Sequence, residues 1–586
     1  MAPNEEFILL RFVMAIVLFL LAFVSIGYGI AQRTILVGPS SYTAAVNTDS
    51  SAPITVIDGT ALRAFEGSQS LTVSGSSTVF IADGRTDDVR AWVGKTSYNS
   101  IHFTAKTQKL TTKLVTGKES TAPSAVGSDL WVDEFSGKTQ LVRTINVPGS
   151  ASVIIMADGK KAAPSHIAIT WPLDNSAPWS GPLILAGIAA LLAGLITFLW
   201  ALVHARRRSG PRRKQGRNPK PPQLKRGRSG NQRAIEAPTR RGRRRNFLAT
   251  GVILAGTMLL SGCSLLGQIG GGAVSPTPSS TVPGAAGLQQ VAVTEPQLKH
   301  IVSNIVQTVG AADAKGDAKL AATRLAGPAL QLRTASYKIH AADSSIALVA
   351  PIPNWDVRVA LPQQSDTWPR TVFVALEPPT TKSAPIGMML VQQSPRENYK
   401  VNYLMTLELD VPKVAPATVG AARLPNDNKL GILAPSELAA AYGDILIKGD
   451  ASKKNELFSA TGDKLRTAVG HDYKQKAASQ LPPTASIAFS NGPGKSDSIA
   501  FGTNDSGQIV AVDLDDVERV TPSEAGAAVN PLGASKALSG LTSSIKGIVV
   551  TYGLQLLFYV PPVSESGKKV ELIGFTQGLI SAIEVP

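Results

Sequence analysis

The chain holds one cysteine, Cys263. No disulfide can close within one copy, and no cysteine-based zinc site can form. What a lone thiol can do therefore depends on its neighbours. The other residues with chemical potential are scattered. Ser543-Ser544-Ile545-Lys546 and Ser566-Gly567-Lys568-Lys569 have the Ser-x-x-Lys spacing in which a lysine deprotonates a serine nucleophile. The Ser-Asp-Asn and Lys-Thr-Gly partners of that chemistry accompany neither. Ser136-Gly137-Lys138-Thr139 ends like a phosphate loop, but Val132 stands where the first glycine belongs. Asp513-Leu514-Asp515-Asp516 has the D-x-D spacing of a metal site, although an acidic strand end is the simpler reading. His102 and His166 lie alone on strand-like text and read as surface or packed residues. These patterns yield no catalytic residue, no metal ligand and no cofactor site.

The elements around them are more informative. Three apolar segments, 12–30, 182–203 and 247–266, are each about long enough to cross a bilayer. Trp179 and Trp200 lie near the ends of the second, where amphipathic rings favour the interface. The formal net charge is +16, yet residues 206–245 alone hold 17 Lys and Arg against one acid, Glu236. The rest carries 41 basic and 41 acidic residues. The basicity belongs to one loop, so a nucleic-acid partner is not expected. Arg206, Arg207 and Arg208 close the second segment, and Arg243, Arg244 and Arg245 open the third. Positive charge stays cytoplasmic, which places this loop and the N-terminus inside and residues 32–177 and 268–586 outside a cell membrane. The expected partners here are the bilayer itself and, for the loop, anionic headgroups.

The organisation that follows is a multidomain membrane protein. A spanning helix over 1–31 is followed by an extracytoplasmic all-β domain over 32–177. A second span over 178–204 leads to a basic, structureless loop over 205–246. The third apolar segment covers 247–267, and a Gly/Ser/Pro/Ala-rich tether covers 268–290.

Leu260-Ser261-Gly262-Cys263, after an arginine run and a short apolar core, resembles the lipobox of bacterial lipoproteins. That resemblance implies a diacylated Cys263 and a cut before it. Ser261 and Gly262 supply the small side chains such a peptidase needs. Arg244-Arg245-Asn246-Phe247-Leu248 also resembles a twin-arginine export signal. The alternative is an uncleaved third helix with Cys263 packed inside it.

Residues 32–177 contain short apolar runs divided by Gly, Asp, Ser and Asn: 54–57, 71–73, 78–81, 89–93, 141–147, 152–155 and 166–171. They predict a sandwich or barrel of about seven to nine strands. Beyond residue 290 the text repeats. Lys315-Gly316-Asp317-Ala318 returns as Lys448-Gly449-Asp450-Ala451, and Leu332-Arg333-Thr334-Ala335 returns as Leu465-Arg466-Thr467-Ala468, at one common offset. In each copy a helix, 297–314 or 436–448, precedes the Gly-Asp turn, and a second helix carries Leu-Arg-Thr-Ala. Strands are expected over 346–350, 356–361, 371–377, 388–392 and 401–409, then over 486–489, 498–501, 509–514, 548–560 and 570–583.

Two helices and a long antiparallel sheet resemble the NTF2-like (cystatin-like cone) fold, here as two α+β domains over 291–427 and 428–586. The layout also resembles exported envelope proteins of high-GC Gram-positive bacteria. The fold resemblance implies a cone that can hold an apolar ligand or carry acid/base residues, for which Asp317, Asp450, Tyr337, Tyr552 and Tyr559 would be candidates. The residues favour structural roles: the Asp in helix-capping turns, the Tyr as packed aromatics. The expected function is a non-enzymatic binding or scaffold role outside the membrane, toward an envelope protein or wall polymer. The alternative is a lipid- or small-ligand-handling protein, or an enzyme, that uses the cone.

Overall fold

A computed structural model describes residues 3–48, 51–206, 290–380 and 383–586. The loop beyond Arg206 and the segment holding Arg207, Arg208, Arg243, Arg244, Arg245, Leu260, Ser261, Gly262 and Cys263 lie outside the described residues. The chain divides into two compact units, 1–37 with 177–286, and 38–176 with 287–586.

The first unit contains two long apolar helices, Pro3–Thr34 and Ser180–Arg206. Both meet the length and hydropathy of a membrane span, in agreement with the segments read from sequence. They pack antiparallel through small residues. A Cβ on Gly187 would fall 2.5 Å from Ile26, and one on Gly194 would fall 3.1 Å from Phe19. Ala15, Ala22 and Ala201 are fully buried in the seam. Phe198 meets Phe12 edge-on at 5.9 Å, and Arg33 Nε donates to Ser180 Oγ at 3.0 Å. Close approach through Gly and Ala is how helices associate where lipid removes the hydrophobic drive. The outward faces are large apolar side chains such as Phe23, Leu185 and Ile196.

In the second unit, residues 38–176 form an eight-stranded sheet. Its strands are β1 (Ser41–Asn47), β2 (Ile54–Asp58), β3 (Gln69–Arg85), β4 (Tyr98–Thr104), β5 (Lys109–Val115), β6 (Asp133–Ile145), β7 (Ala151–Met156) and β8 (His166–Pro172). The order is β1-β8-β3-β7-β2-β4-β5, with β6 also on β3. Alternation along the strands makes two cores. Ile57, Leu71, Ile81, Ile101, Val153 and Trp171 pack on one face of the sheet. Ile54, Val56, Phe80, Ile154 and Met156 face the other way, onto Trp92 and Trp131. β2 and β4 pair in parallel, unlike the other pairs. The runs 71–73 and 78–81 belong to one strand, β3, whose register shifts between Ser74 and Thr78.

One expected strand is a helix. Residues 89–93 lie in helix Thr86–Val93. Asp87 and Asp88 occupy its first turn, Val89, Trp92 and Val93 share its buried face, and Gly94 ends it at φ 57°. Spacings of three and four residues, not two, are what bury these side chains.

Residues 290–586 carry the remaining ten strands. They are β9 (Asp356–Pro362), β10 (Arg370–Glu377), β11 (Ile386–Gln392), β12 (Lys400–Leu407), β13 (Arg423–Leu424), β14 (Ala485–Pro493), β15 (Ile499–Gly502), β16 (Gln508–Pro522), β17 (Ile548–Val560) and β18 (Glu571–Glu584). All belong to one antiparallel sheet ordered β13-β15-β16-β17-β18-β12-β11-β10-β9, with β14 on β16. Strands from both sequence copies therefore share a sheet. The pairings that join the copies are short: Thr406 with Phe575 and Leu407 with Gly574 between β12 and β18, and Arg423 with Phe501 and Leu424 with Ala500 between β13 and β15.

The continuous apolar runs in β10 and β17 follow from burial on both faces. Val372, Val374 and Leu376 meet helices Glu295–Asp313 and Gly327–Ala342. Phe373 and Ala375, between them, meet Phe501, Ile509, Leu557 and Ile573 from the second copy. Leu554, Leu556 and Phe558 then pack beneath helix Leu438–Lys448. The layers run helix, sheet, sheet, helix, as one sheet folded on itself.

The repeated turns keep their backbone, with Gly316 at φ 62° and Gly449 at φ 56°. The strand expected over 346–350 is absent. Val349 N donates to Ser336 Oγ and its carbonyl accepts from Arg333, which ties the segment to the helix. Pro351 and Pro353 follow and cannot donate to a ladder.

Candidate functional interface

The sequence-derived candidates do not converge. Asp317 caps helix Ala318–Ala321, its carboxylate accepting from Lys319 N and Leu320 N. Asp450 accepts from Asn455 Nδ2. Tyr337 donates to Asp313, Tyr559 to Asp505 at 2.7 Å, and Tyr552 stands opposite Asp516 on the neighbouring strand. Both Ser-x-x-Lys stretches lie in loops, so neither serine sits one helical turn from its lysine. Ser136–Thr139 lies within β6, with no helix N-terminus to hold a phosphate. The D-x-D carboxylates part ways: Asp513 accepts from Ser496 N, while Asp516 turns to Lys474 at 2.6 Å. His102 meets Ser100 and Asp58, and His166 meets Ser165, and both imidazoles are exposed.

Two buried carboxyls are strongly perturbed. Burial, with Asp133 beside it, pushes Asp83 up to about 7, and burial pushes Asp513 up to about 6. They lie on different sheets, β3 and β16, and so form no acid–base pair.

The charged residues that do converge join residues 38–176 to residues 290–586. Three arginines of the later segment each reach an acid of the earlier one. Arg370, which opens β10, sits 2.8 Å from Asp88, and both side chains are 1% exposed. Asp88 also accepts from Arg85 Nε at 2.8 Å. Arg85 and Arg370 donate in turn to the carbonyl of Ala292, at 3.1 and 3.3 Å. Arg324 Nη1 lies 2.6 Å from Asp129 Oδ2, and Tyr399 N donates to that same oxygen at 2.8 Å. Burial raises the Asp129 carboxyl, and Arg324 opposes the rise. Asn398 completes this contact, accepting from Asp129 N and donating to Gly127 O.

Arg396 docks on the end of helix Thr86–Val93. It donates to the carbonyls of Trp92 and Val93, both at 2.9 Å, and lies 3.0 Å from Glu119. A cation on the last carbonyls of a helix is favourable for hydrogen bonding and for the dipole. The Arg396 hydrogen bond holds the Glu119 carboxyl below its usual range. Apolar contact backs the charges: Trp368 packs on the cluster of Phe80, Trp92, Trp131 and Met156. The Arg370 guanidinium lies 3.7 Å over the Trp368 ring. Gln297 Nε2 reaches across to Leu130 O at 2.8 Å. Arginine suits each place because its planar fork satisfies several acceptors at once. The arrangement has no free nucleophile facing a base; it is an adhesive surface. None of these residues carries a sequence signature, since each partner lies far along the chain.

The repeated Leu-Arg-Thr-Ala has a structural reason. Arg333 lies 3.0 Å from Asp313, to which Tyr337 also donates. In the second copy Arg466 lies 2.9 Å from Asp463, to which Tyr442 donates. Each copy thus pins its helices with a buried Arg–Asp–Tyr cluster. The Arg is in register between copies, whereas the Asp and Tyr come from different positions.

A family model, DUF8094, described as a domain of unknown function, matches residues 289–584. The chain belongs to the DUF8094 family. The match covers both sequence copies as one DUF8094 region, in keeping with their common sheet. Comparison with curated proteins and with solved structures returns no match.

Proposed function

We propose that this protein is a membrane-anchored component of the cell envelope that displays its β-domain and its DUF8094 region together outside the membrane, in a non-enzymatic binding or scaffold role. The observation that carries this reading is the buried pairing of Arg370 with Asp88 and of Arg324 with Asp129. Such pairs form only if both segments occupy one compartment. With helix Ser180–Arg206 read as a membrane crossing, the chain must cross again before residue 290. The apolar stretch 247–266 has the length to do so. The arginine-rich loop between the crossings is cytoplasmic on this reading, where each basic residue near the surface gains about 1 kcal/mol from anionic lipid. Cys263 is the expected diacylated residue, with Leu260, Ser261 and Gly262 as its recognition sequence.

We read the two helix–sheet halves of the DUF8094 region as NTF2-like modules whose concave faces are occupied by their own helices. Ile301, Ile305 and Tyr337 on one side and Tyr442, Ile445 and Leu446 on the other are buried against the sheet. This filling favours a display role over a ligand-holding one. A cavity of about 220 Å³, lined by Leu332, Ile386, Leu404, Met405 and Gln577, favours the second reading, that of a small-ligand handler. It is below the roughly 300–1,000 Å³ of most ligand sites.

The test is the size of the membrane-associated product bearing a C-terminal tag. Lipoprotein maturation predicts a species of roughly 34 kDa, by proportion of length, beginning at a diacylated Cys263. A product only at 61.3 kDa would rule out the cut and leave a continuous three-span chain.

A further inference from the structure

We infer that the β-domain and the DUF8094 region form a self-sufficient non-covalent pair, so that the partner of the DUF8094 surface around Arg324, Arg370 and Arg396 is the β-domain even when the chain between them is severed. The pairing surface is built like an interface between separate proteins. Its centre is desolvated, with Asp88, Asp129, Arg324 and Arg370 all at most 7% exposed. An aromatic anchor, Trp368, packs against the opposing core. Less buried contacts, such as Arg396 to Glu119, flank it. Buried aromatic and arginine anchors inside a polar rim are the pattern of binding hot spots. The surface is also selective. The acids that meet Arg324, Arg370 and Arg396 all stand on the β-domain side, so a partner lacking acids at these places would leave buried cations unpaired.

Each side also has its own closed core. The β-domain buries Ile57, Leu71, Val153 and Trp171 without help from the later segment. The DUF8094 region buries Phe373, Met389, Phe501 and Leu557 without help from the β-domain. Neither needs the other to bury these side chains, so contact across the interface is an association between finished parts.

If the chain is divided ahead of Cys263, the products remain a stoichiometric complex. The pairing itself does not depend on that division, and the experiment separates the two. A specific protease site is placed within residues 268–286 of the full-length chain. The detergent-solubilised protein is captured by an N-terminal tag and cut. Every membrane segment and Cys263 then lie on the captured side, so only the interface can retain the remainder. The expected result is that the fragment stays bound. The double variant Arg324→Ala/Arg370→Ala, which breaks two separate buried pairs, releases it, through a loss in affinity on the order of 10⁴-fold or more. Release of the unsubstituted fragment on cutting would overturn the inference, whatever happens at Cys263. Retention that the double variant leaves unchanged would equally overturn it, because something other than this surface would be holding the fragment. A chain that arrives already divided answers the same question without protease, through capture or loss of its C-terminal part on the N-terminal tag.

Discussion

Arg370→Ala is expected to lower the stability of the docked unit by about 3–5 kcal/mol, the range for removing one partner of a buried ion pair. The substitution leaves one carboxylate oxygen of Asp88 facing a dry interface, with Arg85 holding only the other. It also takes a donor from Ala292 O and the cation from above Trp368. Arg370→Lys should fall between, because an ammonium keeps the charge but not the fork. Asp88→Ala with Arg370→Ala should cost less than the sum of the two single changes, since the coupling is counted twice in that sum. Denaturant titration followed by tryptophan fluorescence suits the test, because Trp92, Trp131 and Trp368 all report on this junction. An Arg370→Ala midpoint equal to that of the parent would show that the pair contributes nothing.

Asp463→Ala is the second large effect, and it acts inside the DUF8094 region. Asp463 is 7% exposed. It accepts from Tyr442 Oη, from Arg466 Nε and from Arg466 N, so it serves as partner and as helix cap. Its loss orphans a buried hydroxyl and a largely buried guanidinium together. The expected cost is about 3–5 kcal/mol from the broken ion pair, with about 1 kcal/mol more from the cap. Asp463→Asn keeps one acceptor oxygen for the Arg466 N cap and Tyr442 Oη and loses the one facing Arg466 Nε, so it should cost less than the alanine change. Urea unfolding of both variants distinguishes them. Equal midpoints for the alanine and asparagine variants would mean that hydrogen bonding at this site does not hold the helices.

What could be read from the sequence was what depends on near neighbours. The two long apolar helices rest on local hydropathy, and the sequence places them within a few residues of Pro3–Thr34 and Ser180–Arg206. Most strands rest on a period of two, and nine of the ten expected beyond residue 290 correspond to β9–β12 and β14–β18. The errors have local causes too. Residues 89–93 look strand-like by composition, but Val89, Trp92 and Val93 bury at helical spacing. Residues 346–350 are apolar because they pack on a helix, not because they pair.

The interface was hidden for another reason. Arg324 and Asp129 are 195 residues apart, and Arg396 lies 277 residues from Glu119. A charged side chain carries no mark of the partner that will neutralise it, so its burial becomes visible only with the fold. The repeat lay between these cases. Leu-Arg-Thr-Ala was legible as a recurrence, but the acid and tyrosine that give Arg333 and Arg466 their roles occupy different positions in the two copies. No repeat search aligns them.

We propose that the β-domain and the DUF8094 region share one side of the membrane. Lys106 and Lys476 are exposed, one in each segment, and the only native thiol is Cys263. Lys106→Cys and Lys476→Cys, made singly, can be labelled with a membrane-impermeant maleimide on intact cells from which any outer barrier has been removed, with the parent chain as the background. Both sites are expected to label without breaking the membrane. Labelling of one site on intact cells, and of the other only after lysis, would contradict it.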